Sequence, residues 1–224
     1  MTYQEIVNNL KESKNFSFSR FGDGEFNAIL GASPGQDPKQ NCDRHRYFKD
    51  MGMRLYKVIL SNPNYVMGMQ NLAKRLRKDD SDFHTLINHV DNWVDSDVLH
   101  RASIKQGLSA MFDALRERNI ILVANEQLSF IVDKIYTPVN FCDFQHIVIS
   151  PRDCWLEYAE VKNRLLELIE KDDVILYAAS MMTEVLIDDI YNIYGEKVTQ
   201  IDVGSAFDPY CGIKSRSYHN NLKV

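Results

Sequence analysis

Six short apolar stretches recur along the chain, and between several of them apolar residues return at helical spacing. "FSFSRF" (16–21), "NYVMGM" (64–69), "NIILVAN" (119–125), "FQHIVIS" (144–150), "DVILYAA" (173–179) and "KVTQIDVG" (197–204) read as strands. The strongest, "NIILVAN", is almost continuously apolar, the mark of a strand covered on both faces. "WLEYAEVKNRLLELIEK" and "MTEVLIDDIYNIYG" are amphipathic helices separating the last three. Strands alternating with helices in this way define an α/β fold. The expectation is one doubly wound, Rossmann-like domain over residues 1–224, with a mainly parallel sheet of about five or six strands. Tyr3, Ile6, Val7 and Leu10 share one face of an opening helix. A further helix is expected from about 43 to 60, residues 71–118 read as mostly helical, "ASPGQDPKQN" (32–41) as a loop, and 212–224 as a mobile tail.

A chain of 224 residues buries well over half of its unfolded surface without a disulfide or structural metal. Its 45% hydrophobic and 25% charged residues are globular proportions and exclude a disordered chain. The formal charge is −5, from 31 acidic and 26 basic residues. That balance argues against a protein whose main work is gripping nucleic acid, which needs basic excess for phosphate contacts. The one dense basic run, "KRLRK" (74–78), keeps a nucleic-acid substrate open. Cysteines at 42, 142, 154 and 211 contain no C-x-x-C pair, so neither a zinc site nor a disulfide framework is expected. The N-terminus lacks the pattern of a signal peptide, and no apolar run approaches a membrane span. A soluble, cytoplasmic chain with reduced thiols is the expectation.

The stretch richest in chemistry is "FSRFGDGEFNAIL" (18–30). A strand ends there in Arg20, Gly22, Asp23, Gly24 and Glu25, and a helix begins. Ligands of open α/β sheets bind at the carboxyl ends of the strands. Glycines let a ligand approach the backbone, and Arg20 carries a planar fork suited to phosphate. Asp23 and Glu25, one residue apart, would point to the same side in extended backbone. They would then share a divalent ion such as Mg²⁺ or Mn²⁺, which is bound by one or two carboxylates plus substrate phosphates. A tight turn, with Asp23 capping the next helix, explains the same residues without any ligand.

"FSRFGDGEFNAILG" resembles the signature of the GT-D glycosyltransferases, a bacterial family first catalogued as a domain of unknown function. "DDVILYAASMMTEVLIDDIYNIYGEKVTQIDVGSAFDPY" is similar to that family's closing strand–helix–strand, with Asp202-Val203-Gly204 ending the last strand. "NIILVANEQ" is similar to its central strand, which ends in an acidic residue, here Glu126. The resemblance implies transfer of a sugar from a nucleotide-diphosphate donor with help from a metal held by Asp23 and Glu25. Arg20, Gly22, Gly24, Asn125, Glu126, Gly204 and Ser205 are then expected around the donor. Where better-known members carry Gly-Pro-Thr-Ala, this chain has "ASMMTEV", so Ser180 and Thr183 are the hydroxyls available to a donor. Asp202 and Asp208 are candidates for a general base, and Asp202 is equally placed for a helix cap or a ribose contact.

His100 and Arg101, at the head of a helical stretch, are candidates for phosphate or acceptor binding against a plain surface role. Lys214 and Arg216, in the basic tail, are placed to close over a diphosphate. Trp155 opens an amphipathic helix and is expected in the core, as are the Met pairs at 51/53 and 181/182. His84 and His89 are five apart, off the spacing of a helical metal pair. The expected function is therefore a metal-dependent glycosyltransferase acting on a glycan or small molecule, with a modified nucleic-acid base as a further acceptor class. The alternatives are a metal-dependent phosphohydrolase and a non-catalytic nucleotide-binding or interaction module.

Overall fold

The computed structural model describes residues 1–31, 45–70, 87–91, 93–136, 143–216 and 219. The chain opens with a capping box: Glu5 N donates to Thr2 Oγ1 at 3.2 Å while Thr2 N donates to the Glu5 carboxylate at 2.6 Å. Helix α1 (Tyr3–Lys11) follows and buries Ile6, Val7 and Leu10, as their spacing predicts. Next come β1 (Ser17–Phe21), α2 (Asp23–Ile29), α3 (Lys49–Ser61), β2 (Val66–Met69) and β3 (Val94–Asp95). The central part holds α4 (Val98–Lys105), α5 (Ser109–Leu115), β4 (Ile120–Ala124), α6 (Val132–Ile135) and β5 (Phe144–Val148). The closing part is α7 (Tyr158–Leu168), β6 (Val174–Ala178), α8 (Met182–Tyr194) and β7 (Thr199–Asp202). Short 3₁₀ turns at Gly204–Ala206 and Asp208–Cys211 follow the last strand.

The seven strands form one sheet in the order β3-β2-β1-β7-β6-β4-β5, and every recorded pairing is parallel. The six expected strands are all present. The seventh, β3, is two residues long, too short to leave a pattern in the sequence. Residues 87–118, expected mostly helical, hold this strand beside α4 and α5. The helix expected from 43 begins at Lys49. The loop at 32–41, the "KRLRK" run and His84 lie outside the described residues.

Both faces of the sheet are covered, as the unbroken apolar strands require. Ile121, Val123, Ile175 and Tyr177 pack with side chains of α2, α3, α7 and α8 on one face. Ile120, Leu122, Val174 and Leu176 pack with those of α1, α4, α5 and α6 on the other. Trp155 is in the first of these layers, stacked on Tyr158 at 4.8 Å with its indole N–H on Asp50 at 3.0 Å. Of the tail, Ser215 donates to Asp208 and His219 is 3% exposed, so this part of it lies against the body. No described helix is long and apolar enough to cross a membrane.

Helix α2, which follows the "GDGE" segment, is seated on α3 through Gly52. A Cβ added there would lie 2.2 Å from the carbonyl oxygen of Ala28. Alanine at 52 gains about 1 kcal/mol of helix propensity but must push the two helices apart. Gly52→Ala is expected to lower stability by about 1–3 kcal/mol, measured by urea denaturation. An unchanged midpoint would mean that α2 is not fixed by this contact.

Candidate active site

After β4 the chain leaves toward β5 on one side, whereas after β6 it leaves toward β7 on the other. Because β4 and β6 are neighbours, this is a topological switch point, where open α/β sheets bind their ligands. The elements after the two strands lie on opposite faces: Leu128, Ile131 and Ile135 after β4, and Val185 and Leu186 after β6. A cavity of about 340 Å³ opens at this point, and Asn125, Ser180, Gly204, Ser205, Asp208 and Arg216 are on its wall. A wider open groove of about 1630 Å³ runs along β5 and α7. Of the expected site residues it holds Asn125 and Glu126 alone, so the smaller cavity is the candidate site.

Beside the cavity, Arg20 at the end of β1 reaches across to the end of β7. Its Nη1 stands 3.6 Å from Asp202 Oδ1 and its Nε donates to Ser96 O at 3.2 Å. Asp202 Oδ1 also accepts from Gly204 N at 2.8 Å. Gly204 has φ +47°, and a Cβ there would lie 2.1 Å from Arg20 Nη1. Glycine is needed at 204 for the left-handed backbone and for the close approach of the guanidinium.

Two further carboxyl groups converge on this pair. Glu25 Oε2 accepts from Gly22 N at 2.7 Å. Glu184, in the first turn of α8, is 1% exposed and hydrogen-bonds Asp202. Its Oε2 meets no hydrogen-bond partner among the described residues. Burial raises the Glu184 pKa well above the ordinary range, and the charges of Glu25 and Asp202 add to the effect. Burial pushes Glu25 up to about 7; its own backbone hydrogen bonds and Arg20 oppose this, and Asp202 adds to it. Asp202 is raised by burial against the pull of Arg20. Three carboxyl groups sharing one guanidinium cannot all ionise cheaply in a dry crevice. Glu184 was missed in the sequence reading. The available signal was a lone acid in the apolar run "MMTEVLI" after a buried strand.

The other expected residues divide. Asn125 lines the cavity and its side chain accepts from Gln127 N at 3.0 Å, capping the 3₁₀ turn Glu126–Ile131. Ser180 also lines it, with φ +51°. Thr183 is buried, and its hydroxyl accepts from Ala179 N at 3.2 Å. The hydroxyl expected at the donor is thus turned into the start of α8. Glu126 is exposed on the outer groove. His100 Nε2 lies 3.0 Å from Ser205 Oγ. Burial holds His100 well below its usual pKa, with Arg20, Arg216 and His219 adding to the shift. Arg101 turns outward instead, pairing with Asp95 at 2.8 Å. Asp208 is buried on the cavity wall and accepts from Ser215.

The expected geometry of Asp23 and Glu25 requires correction. Both belong to the first turn of α2, not to extended backbone. At about 100° per residue their side chains diverge by about 200°. Asp23 is exposed, whereas Glu25 turns back onto Gly22 N. Gly22 and Gly24 are packed against Gln70 and Met181: added Cβ atoms would lie 2.9 and 3.3 Å from those side chains. Among the described residues no three His, Cys, Asp or Glu side chains are placed to hold a metal ion. The two carboxylates as arranged do not fit a shared divalent ion.

No family model and no curated protein matches the sequence. The fold is similar to solved structures of the domain of unknown function 1792. One, described as having a distinct glycosyltransferase fold, aligns with TM-score 0.67 at 18% identity, over 94% of this chain and 79% of that one. A selenomethionine-substituted structure of the same domain gives TM-score 0.67 at 15% identity with the same coverage. A structure described as a new glycosyltransferase from Streptococcus sanguinis gives 0.66 at 16% identity, over 94% of this chain and 82% of that one. The chain thus has the fold that its "RFGDGE" and closing-strand resemblance implied.

The carboxyl cluster has a consequence for stability. A raised folded-state pKa means that protonation favours folding. The contribution is whole below the unfolded carboxyl value of 4.5 and is lost as pH rises through about 7 for Glu25. Glu184→Gln removes one of the repelling charges. It is expected to flatten the fall of melting temperature between about pH 5 and about pH 8 relative to wild type. Parallel melting curves of the two proteins across that range would show that the carboxyls do not interact.

Proposed function

We propose that the chain is a glycosyltransferase that moves a sugar from a nucleoside-diphosphate donor to a hydroxyl of a glycan or small molecule. The observation that carries this reading is the cavity at the switch point, with Asp208 on its wall and Arg20 packed on Gly204, which lines it. Its volume of about 340 Å³ suits part of a nucleotide-sugar. The description of similar folds as glycosyltransferases supports the same reading.

In this reading Arg20 faces the diphosphate and stabilises the charge that gathers on it as the sugar–oxygen bond breaks. Asp202, engaged by Arg20, Gly204 N and Glu184, holds the guanidinium in place and is a positioning residue. Asp208 is then the base: it takes the proton from the acceptor hydroxyl as that oxygen attacks the sugar carbon. The bonding electrons leave with the diphosphate, and the anomeric centre is inverted. The net charge of −5 favours a glycan or small acceptor over a nucleic-acid base. A phosphohydrolase would draw on clustered metal ligands, and the described residues hold no group of three.

Incubation with a panel of nucleotide-sugars is expected to release nucleoside diphosphate from one of them, faster with acceptor. Asp208→Asn should lower turnover about 10²- to 10⁴-fold with little change in donor affinity. Release of inorganic phosphate from simple esters would favour the hydrolase. Donor binding without turnover, equal in wild type and Asp208→Asn, would favour the non-catalytic module.

A further inference from the structure

The residues around the cavity point to how this chain would hold a diphosphate. We propose that the phosphates are gripped by side-chain cations, Arg216 and Arg20 with His100 beside them, in place of an ion on Asp23 and Glu25. The inference rests on the donor reading above and goes beyond it by naming the phosphate-binding groups.

Three separate elements bring these groups together. Arg20 comes from the end of β1 and packs on Gly204. His100 comes from the first turn of α4 and meets Ser205. Arg216 comes from the closing segment and lines the cavity with Gly204 and Ser205. Its backbone is pinned there: Arg216 N meets His219 Nδ1 at 3.3 Å and His219 N donates to Arg216 O at 3.0 Å, with His219 itself 3% exposed. Four carboxyl groups face these cations: Asp202, Glu25 and Glu184 around Arg20, and Asp208 on the cavity wall. Asp202 is with Arg20 and Gly204 N, and Asp208 is with Ser215.

Arg216 on the cavity wall and Arg20 against Gly204 put two guanidinium groups at one cavity, where an anion is attracted. Arginine's fork matches the oxygens of a phosphate. The D-x-E pair offers no comparable grip, because its carboxylates diverge around α2 and Glu25 is bonded to Gly22 N.

The test is calorimetric titration of the full chain with UDP, GDP, CDP, ADP and TDP, each in excess EDTA and again in Mn²⁺. At least one is expected to bind in EDTA, with an affinity within about threefold of that in Mn²⁺. Arg216→Ala should weaken that binding at least about tenfold, the scale of a charged hydrogen bond. Arg216→Lys should recover part of the loss. Lys171→Ala removes an exposed cation beside Asp172, outside the cavity, and should leave binding unchanged. Binding that requires Mn²⁺, or an Arg216→Ala affinity equal to that of Lys171→Ala, overturns the inference while leaving the donor reading standing. Absence of binding by every diphosphate in both buffers overturns the donor reading itself. Circular dichroism of each variant separates loss of a contact from loss of folding.

Discussion

The ion pair between Arg20 and Asp202 spans the seam of the sheet, and the candidate site is organised around it. β1 and β7 are neighbours in the middle of the sheet, yet their register runs only from Ser17 opposite Gln200 to Phe18 opposite Ile201. Beyond that point β7 ends and β1 continues to Phe21. The gap is closed by side chains, at 3.6 Å between Nη1 and Oδ1, with 14% and 8% of the two side chains exposed. Such a pair costs desolvation on both sides and repays it only when further hydrogen bonds complete the geometry. Ser96 O and Gly204 N supply them. Gly204, in turn, shapes the wall of the cavity, so the pair links the sheet seam to the place where a ligand would sit.

Around this pair the molecule accepts features that stability alone would not select. Glu184 is buried in an otherwise apolar helix face and presses against a second carboxyl group. His100 is enclosed beside Arg20, Arg216 and His219, and burial, with those groups adding to it, holds its pKa well below the usual value. Like charges collected in a low-dielectric crevice shift each other's protonation, and such shifts concentrate where chemistry or ligand binding needs them. Within the sheet, Gln200 donates to Ser17 Oγ and Ile187 O and accepts from Tyr177 Oη.

Much of this was legible in the chain. Period and composition identify all six of the longer strands, because a strand buried on both faces must be apolar throughout. They identify the opening helix and the core role of Trp155 for the same reason. Arg20, Gly22 and Glu25 at the end of β1 were readable as a cluster, since a cation, glycines and acids between strand and helix have few local explanations. Where Thr183 and Arg101 turn was not legible, because a residue type does not say which way a side chain points. Thr183 serves the backbone of its own helix start, and Arg101 finds Asp95 on the neighbouring β3. Glu184 went unremarked because a single acid in an apolar helix has meaning only once its neighbours in space are known.

By itself, then, the sequence determined the α/β class, the parallel covered sheet and the position of the "GDGE" turn at the mouth of β1. These follow from local periodicity and from the burial that each element needs, which neighbours along the chain already encode. Only the tertiary structure decided that Asp23 and Glu25 point apart, that Arg20 answers to Asp202, and that His100 meets Ser205 on the cavity wall that Arg216 also lines. The reason is physical: whether two neighbours point apart depends on where the helix starts, and the other two relations join residues far apart in the chain, with energies that depend on distance and dielectric in three dimensions.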